Sequence, residues 1–420
     1  MKAKILNRRF SSFDVSSRRG FTVIEVLVGS LIMLTIVVAT LALYTKSNTV
    51  SVDQQGFAEL QHDVRAAMYF ISRDIKSAGA GLPQQLAGYY VQAENNDNIG
   101  GPPINPDRLT ILGNADPLRL FIQSFSPGSN VITVEPNQFE IYPYNTNAYP
   151  DDPVGLINRC IIVLPNPELN KRKGEVGRIT AADFIANTIT FERVQSANLK
   201  LPNGLTVGGD PADYVGGTVH FIEFRTYWLD VDGSYPGCIT GTDGYLGVPG
   251  VLYVSQWNPL INGYEHLALA QNIEDLQFQF HGDINADQQL DDNNSDGTVD
   301  INDYQNWTDI YVPPEDGGGG GDDDDELDDD EAPAEPKTLT NKAIVYAGIR
   351  SVRVLILGKT ANPYASFTGA PPDEVKKLYG KPAIADSPEF TQPDKHRRFL
   401  LESTAQIRNM SLGVYNTGTL

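Results

Sequence analysis

The stretch that decides the fold is Arg18-Arg-Gly-Phe-Thr-Val-Ile-Glu25, which an apolar run continues to Tyr44. A basic leader ends at Gly20, and the span of about 24 residues that begins at Phe21 is long enough to cross a bilayer core of about 30 Å. The single charged side chain of this span is Glu25. A carboxylate costs about 2.5–3.5 kcal/mol at the centre of a membrane helix, so a charge kept in this place predicts a function.

The leader also predicts the orientation of the chain. Lysine and arginine stay on the cytoplasmic side of a membrane, which places the body after Tyr44 outside the inner membrane. An ordinary signal anchor fits these features, whereas a cleaved secretory signal fits them poorly, because its cleavage site follows the apolar region. The leader has six basic residues against Asp14, namely Lys2, Lys4, Arg8, Arg9, Arg18 and Arg19.

The formal net charge of −21 comes almost entirely from one segment of the 420-residue chain. Residues 283–335 contain 20 Asp and Glu and no Lys or Arg, so the remainder of the chain is close to neutral. Such a segment does not attract phosphates. The rest of the sequence contains no dense basic stripe of the kind that would indicate a nucleic-acid partner. From residue 313 to 336 the composition, with five consecutive glycines and a run of Asp, predicts a disordered linker.

Hydrophobic periodicity predicts an α+β fold. Apolar residues recur every three or four positions up to Ile75, and Gly79, Gly81 and Pro83 then predict the end of a helix near Ser77. This spacing leaves Asp63, Arg65, Arg73 and Asp74 on the other helix faces. Beyond it, the pattern favours a largely antiparallel β head with large loop insertions. The helix stripe is Phe57, Leu60, Val64, Ala67, Ile71 and Ile75, and strands are expected around 109–111, 118–122, 131–134, 161–164, 179–180, 188–191, 221–229, 276–280 and 352–357, with 397–408 a strand or a short helix.

The N-terminal stretch resembles the type III signal of type IV pilins and type II secretion pseudopilins. In that superfamily a prepilin peptidase cuts after the glycine and methylates the new N-terminus. The resemblance implies cleavage between Gly20 and Phe21, a retained helix that anchors the subunit and later joins the filament core, and a Glu25 carboxylate that pairs with the N-terminal amine of a neighbouring subunit. Two opposite charges in an apolar place are tolerable only together.

Later patches resemble PilW-type minor pilins. The resemblance implies a non-catalytic subunit, inserted once in the inner membrane with its head in the periplasm and later at or near the tip of an extracellular pilus. Implied partners are other minor pilins, the major pilin, prepilin peptidase, the inner-membrane assembly platform and a tip adhesin. Alternatives are a pseudopilin J-like subunit of type II secretion and a membrane-anchored, calcium-dependent adhesin. The patches are residues 63–79, 273–280, 349–357 and 397–409.

A calcium loop is predicted within residues 283–303. Alternating oxygen-bearing side chains followed by a glycine have the spacing of an EF-hand-type loop, because calcium is wrapped by several oxygens. The final Asp303 resembles the dockerin-type loop, and an overlapping pattern suggests a second, partial site, so one or two ions are expected. The alternative is a solvated acidic loop. The predicted ligands are Asp292, Asn294, Asp296, Thr298, Asp300 and Asp303, with Asp283, Asn285 and Asp287 in the second pattern.

The two cysteines, Cys160 and Cys238, permit one disulfide in the oxidising space outside the inner membrane. The alternative is two unpaired core residues. The five histidines form no close pair of metal-binding or catalytic spacing, so no enzyme is predicted. The expected organisation is a leader (1–20), a transmembrane or filament-core helix (21–45), an amphipathic helix (46–80), a β-rich head (81–281), a calcium-type loop (282–304), an acidic linker (305–336) and the C-terminal part of the head (337–420).

Overall fold

The computed structural model describes residues 21–82, 90–94, 106–114, 119–126, 130–136, 156–167, 175–183, 185–193, 211–230, 250–259, 261–282, 304–306, 349–361, 382–385 and 396–407. The chain divides into two compact units, Met1–Gln55 and Gly56–Leu420, which are described separately. Helix α1 (Val23–Ser77) is followed by β1 (Val91–Glu94), β2 (Arg108–Gly113), β3 (Arg119–Ser126), β4 (Val131–Val134), β5 (Cys160–Leu164), β6 (Glu175–Asp183), β7 (Thr188–Arg193), β8 (Thr218–Phe221), β9 (Glu223–Asp230), β10 (Val251–Asn258), β11 (Gly263–Ala270), β12 (Ile273–Gly282), β13 (Gln305–Asn306), β14 (Ile349–Lys359) and β15 (Arg398–Gln406).

The end of α1 and its apolar stripe agree with the sequence prediction. Leu60, Val64 and Ile71 are buried, and the helix ends at Ser77. Gly79 then adopts φ 70°, and a Cβ on it would lie 2.4 Å from the Tyr90 ring, so no other residue fits there without rearrangement. The helix therefore stops where the backbone needs a left-handed residue.

Two antiparallel sheets enclose the buried stripe of the helix. One has the order β1-β2-β9-β10-β11 and the other β13-β12-β14-β15. Asp107 connects them, because its N–H donates to the Leu276 carbonyl and its Oδ2 accepts from the Phe278 N–H, both at 2.8 Å. We call residues 56–77 of α1 and these two sheets the frame.

A closed barrel of six antiparallel strands lies between β2 and β9 in the chain. Its order is β3-β4-β7-β6-β5-β8, with β8 pairing back to β3. Alternate residues of β5 serve two cores, since Ile161 and Val163 face the barrel interior whereas Ile162 belongs to the frame core. We call residues 119–221 the barrel, and its core consists of Leu120, Ile122, Phe125, Ile132, Val134, Leu156, Ile161, Val163, Ile179, Ile189, Phe191, Tyr214, Val219 and Phe221.

The predicted α+β class is confirmed: a long N-terminal helix precedes an antiparallel β head. The C-terminal segment, for which strand and short helix were both expected, is strand β15. Strands β1, β10 and β11 lie outside the stretches in which strands were expected.

Candidate functional sites

The start of α1 holds the carboxylate of Glu25 in a capping box. Glu25 Oε2 accepts hydrogen bonds from the Thr22 N–H at 2.9 Å and from the Thr22 hydroxyl at 3.0 Å, and Thr22 Oγ1 accepts from the Glu25 N–H at 3.3 Å. A Thr followed three residues later by Glu satisfies the first orphan N–H groups of a helix. The sequence Thr22-Val-Ile-Glu25 therefore starts the helix and holds the single acid of the apolar span at its N-terminal end. Gly20 lies outside the described residues.

The apolar part of α1 exposes every side chain from residue 21 to 48. Its large apolar side chains range from 44% exposed at Val37 to 85% at Phe21. By length and composition this helix is able to cross a membrane. An apolar surface of this extent favours transfer out of water, into lipid or against other apolar helices.

The last turns of α1 attach to the five-stranded sheet through a buried carboxylate. Asp74 is 3% exposed, and its Oδ2 accepts hydrogen bonds from the Tyr227 hydroxyl at 2.7 Å and from Arg225 Nη1 at 2.9 Å. Its Oδ1 accepts from Arg73 Nε at 2.9 Å. We call these four residues the Asp74 cluster. The periodicity placed Asp74 away from the apolar stripe, which was wrong: Asp74 faces the sheet because Arg225 and Tyr227 lie two apart on the helix-facing side of β9.

The charge state of the Asp74 cluster follows from these contacts. Burial raises the pKa of Asp74, but the hydrogen bonds from Tyr227, Arg225 and Arg73 outweigh burial, and the pKa falls below its ordinary value of 3.8. Burial and the neighbouring Asp74 charge raise the pKa of Tyr227. The cluster therefore contains an ionised Asp74 and a protonated Tyr227 at neutral pH.

A close backbone approach and an aromatic contact complete the attachment of the helix. A Cβ on Gly358 of β14 would lie 2.6 Å from Leu60 Cδ1 and 2.8 Å from Val64 Cγ2. Nearer the start of the frame helix, the rings of Phe57 and Phe399 meet edge to face at 6.2 Å. The helix is thus held by β9, β14 and β15.

The predicted calcium ligands lie outside the described residues, but both ends of their segment are described. Gly282 ends β12, and the chain returns at Tyr304, whose hydroxyl lies 2.8 Å from Ser351 Oγ on β14. Gln305 then pairs with Phe280. The segment therefore leaves and rejoins the same sheet edge. Its donor set of carboxylate and amide oxygens is the kind that calcium takes.

The disulfide remains a prediction, because Cys238 lies outside the described residues. Cys160 is buried on β5 and forms no disulfide with any residue that the structure describes. Burial raises the pKa of its thiol to about 12, despite the opposing effect of Arg178. A thiol in this state is unreactive toward oxidants at neutral pH.

Among the described residues of the head, Ser255 and His266 form a Ser–His contact that no local sequence motif indicates. Ser255 Oγ lies 2.6 Å from His266 Nδ1 and accepts a hydrogen bond from Trp228 Nε1 at 2.7 Å. Ser255 and His266 are register partners on neighbouring strands, not parts of a local motif. Because Ser255 is 0% exposed, this group braces the five-stranded sheet and offers no accessible nucleophile. Glu223, which lies beside the apolar residues Phe221 and Phe224 in the sequence, is half exposed and is not a buried acid.

The fold and the exposed helix define a class: an α+β protein in which an apolar N-terminal helix, with one acid at its start, precedes an antiparallel β head. No family model matches the sequence, and no curated protein matches it. Among solved structures, the chain is similar to a type IV-like pilin from Thermus thermophilus. That match has 10% identity and a TM-score of 0.17, and covers 61% of this chain and 86% of that chain. Overlap at this level carries no argument alone.

Proposed function

We propose that this chain is a non-catalytic, structural subunit of a type IV pilin-like filament, and within that class a minor pilin of the PilW type. One observation carries the proposal: the apolar run from residue 21 to 44 is exposed, α1 begins with the Glu25 box, and its last turns are buried against the β head. A soluble protein has no use for the first part of such a helix. A subunit that moves from lipid into a helical filament core needs it.

Assembly in this proposal depends on Glu25. Prepilin peptidase cuts after Gly20, and the amine of Phe21 becomes the new N-terminus. In the single chain, the hydrogen bonds that the Glu25 carboxylate accepts from described residues come from Thr22. In the filament it gains the N-terminal amine of a neighbouring subunit, an ion pair that apolar surroundings strengthen. Head-to-tail contacts that do not close generate an open helical filament.

The proposed setting follows from the resemblance. The subunit is held in the inner membrane by residues 21–45, with its head in the periplasm, and primes assembly near the filament tip. Other minor pilins, the major pilin, the assembly platform and a tip adhesin are its partners.

The test compares Glu25→Gln with Glu59→Gln in full-length chains expressed in the producing cells. Glu25→Gln keeps the shape of the side chain and an oxygen that accepts hydrogen bonds from Thr22, but it removes the charge. We therefore expect the amount recovered in sheared filaments to fall roughly tenfold or more. Glu59→Gln removes a charge from an exposed position of the same helix and serves as the matched control. Mass spectrometry of the membrane-extracted parent should find a methylated Phe21 at the N-terminus. A mature chain that starts at Met1, or equal recovery of the two variants, contradicts the proposal and favours an anchored adhesin.

The acidic segment 283–303 binds calcium in this proposal. Support comes from the spacing of Asp292, Asn294, Asp296 and Asp303, and from the two ends of the segment meeting at one sheet edge. Asp292→Ala with Asp296→Ala should abolish calcium binding in titration calorimetry. Asp329→Ala with Asp330→Ala changes the charge equally in the downstream acidic run and should leave binding unchanged. Equal loss in both double variants would show only diffuse attraction of cations.

A further inference from the structure

The barrel enters and leaves the frame at two residues that already face each other. Gly113 ends β2, Glu223 begins β9, and the two are register partners on neighbouring antiparallel strands. All six barrel strands lie in the chain between them. A two-residue turn connects antiparallel strands at such a pair. The frame therefore does not need the barrel to join β2 to β9.

The barrel satisfies its own backbone and builds its own core. Its six strands form a closed ring of pairs, so none of them presents an edge that a frame strand must cover. Its interior consists of apolar residues and Tyr214, with stacked or tilted rings such as Phe125 against Phe191 at 6.2 Å. Closure and an internal core are the properties of a unit that folds by itself.

The contacts that hold the helix come from the frame. Asp74 bonds to Arg225 and Tyr227 of β9, and Leu60 packs on Gly358 of β14. At the other end of the frame helix, Phe57 meets Phe399 of β15. The strands that hold residues 56–77 of α1 are thus those that the excision of the barrel would keep.

The barrel rests on the frame along one wall. Cys160, Ile162 and Leu164 of β5 and Val176 of β6 belong to the frame core and are lost with the barrel. Beside this wall, Trp257 Nε1 of β10 donates to the Asn158 carbonyl at 2.7 Å, and the Arg178 guanidinium lies 5.5 Å from the centre of the Trp257 ring. Removal of the barrel uncovers Trp257, and an experiment has to allow for that.

We infer that the barrel is a separable insert: the frame folds without it, and filament assembly requires α1 and the frame but not the barrel. The folding half of this inference is independent of the proposed function, and the assembly half rests on it. A subunit built in this way carries a whole barrel that filament assembly does not use.

The experiment replaces residues 115–222 of the full-length chain with one glycine. Asn114 and the new glycine then form a two-residue turn between Gly113 and Glu223, the Asn-Gly pair that such turns favour. A second version adds Trp257→Thr to remove the uncovered indole. Thermal unfolding in detergent is followed by tryptophan fluorescence, because Trp228 and Trp307 lie outside the barrel. Recovery in sheared filaments is measured in the producing cells.

We expect at least one excised version to keep a cooperative unfolding transition and a filament recovery within about twofold of the parent. If both versions are unfolded, the frame needs the barrel and the inference is wrong. If an excised version folds but is missing from filaments that contain the parent, the barrel takes part in assembly and the second half is wrong. If the parent itself is missing from filaments, the proposed function fails, and the unfolding transition alone decides separability.

Discussion

The cores of the frame and the barrel are built on different principles. The frame core surrounds an amphipathic helix and includes a buried charge at Asp74, held by Arg225 and Tyr227. Among the described residues of the barrel no Asp, Glu, Lys or Arg is buried, and strand pairing closes its sheet. The frame therefore depends on a specific ionic contact, whereas the barrel depends on close packing of apolar side chains. Each core should therefore fail for a different reason.

The largest effect is expected for Asp74→Ala. The substitution leaves the Arg225 charge and the Tyr227 hydroxyl without their shared acceptor inside the frame, which costs about 3–5 kcal/mol when a buried pair is broken. Urea unfolding of the full chain in detergent, followed by tryptophan fluorescence, measures the loss. Asp63→Ala removes the same charge from the same helix at a side chain that is 38% exposed, and should cost about 0–1 kcal/mol. Similar losses in both variants would mean that the Asp74 cluster does not hold the frame.

The second-largest effect is expected for Ile189→Ala in the barrel, with Ile185→Ala in the same hairpin as the matched control. Ile189 is 0% exposed in the barrel core, and Ile185 at the tip between β6 and β7 is 97% exposed. Ile189→Ala should destabilise the barrel by about 2–5 kcal/mol, because it removes buried methyl groups and leaves a cavity. Ile185→Ala makes the same chemical change and should stay within about 0.5 kcal/mol of the parent. Hydrogen exchange of the barrel and frame amides shows where each loss falls, and a loss spread equally over both would contradict two separate cores.

Much of the frame could be predicted from the sequence because its signals are local. The stripe that includes Leu60, Val64 and Ile71 has one period over five turns, and the glycines after Ser77 end it. Strand β12 alternates clearly, whereas β11 contains alanine and leucine residues that suit a helix equally well. The barrel could not be recognised because closure depends on pairs such as Arg119 with His220, which lie far apart in the chain.

The candidate sites divide in the same way. Glu25 stands out in the sequence because a charge in an apolar run is unusual whatever surrounds it. Asp74 does not stand out, because a carboxylate on an amphipathic helix ordinarily faces water. Its burial depends on Arg225 and Tyr227, about 150 residues later, and no helical period contains that information.

As the pH falls, the barrel should lose stability before the frame does. Burial, with a smaller contribution from Arg119, lowers the pKa of His220 in the barrel wall from 6.5 to about 4. The unfolded chain therefore binds the proton more readily, and the stability present above pH 6.5 is lost as pH falls toward 4. The barrel should be less stable by about 2 kcal/mol at pH 5 than at pH 7. The contribution of Asp74 to the frame persists until pH falls below 3.8, because its folded pKa lies lower still.

The control for this order is His220→Leu, which removes the titrating group. Urea unfolding at pH 7 and pH 5, with barrel and frame amides followed separately by pulsed hydrogen exchange, isolates the histidine as the difference between parent and variant. The variant barrel should lose less stability over this range than the parent. A parent barrel that is equally stable at both pH values, or a frame that opens first, would contradict the assignment.

The smallest effect is expected where the helix meets β14. Gly358→Ala adds a methyl group 2.6 Å from Leu60 Cδ1 and 2.8 Å from Val64 Cγ2, so the frame has to shift, at a cost of about 1–3 kcal/mol. Val64→Ala opens space at that contact. The stability loss of the double variant should therefore be smaller than the sum of the two single losses, by about 0.5 kcal/mol or more. Ala67 lies on the same helix face but is not among the nearest neighbours of a Cβ on Gly358. Ala67→Gly should therefore show no such coupling. If the losses of Gly358→Ala and Val64→Ala simply add, the close approach of the helix to β14 does not limit the frame, and the Asp74 cluster is then the stronger attachment.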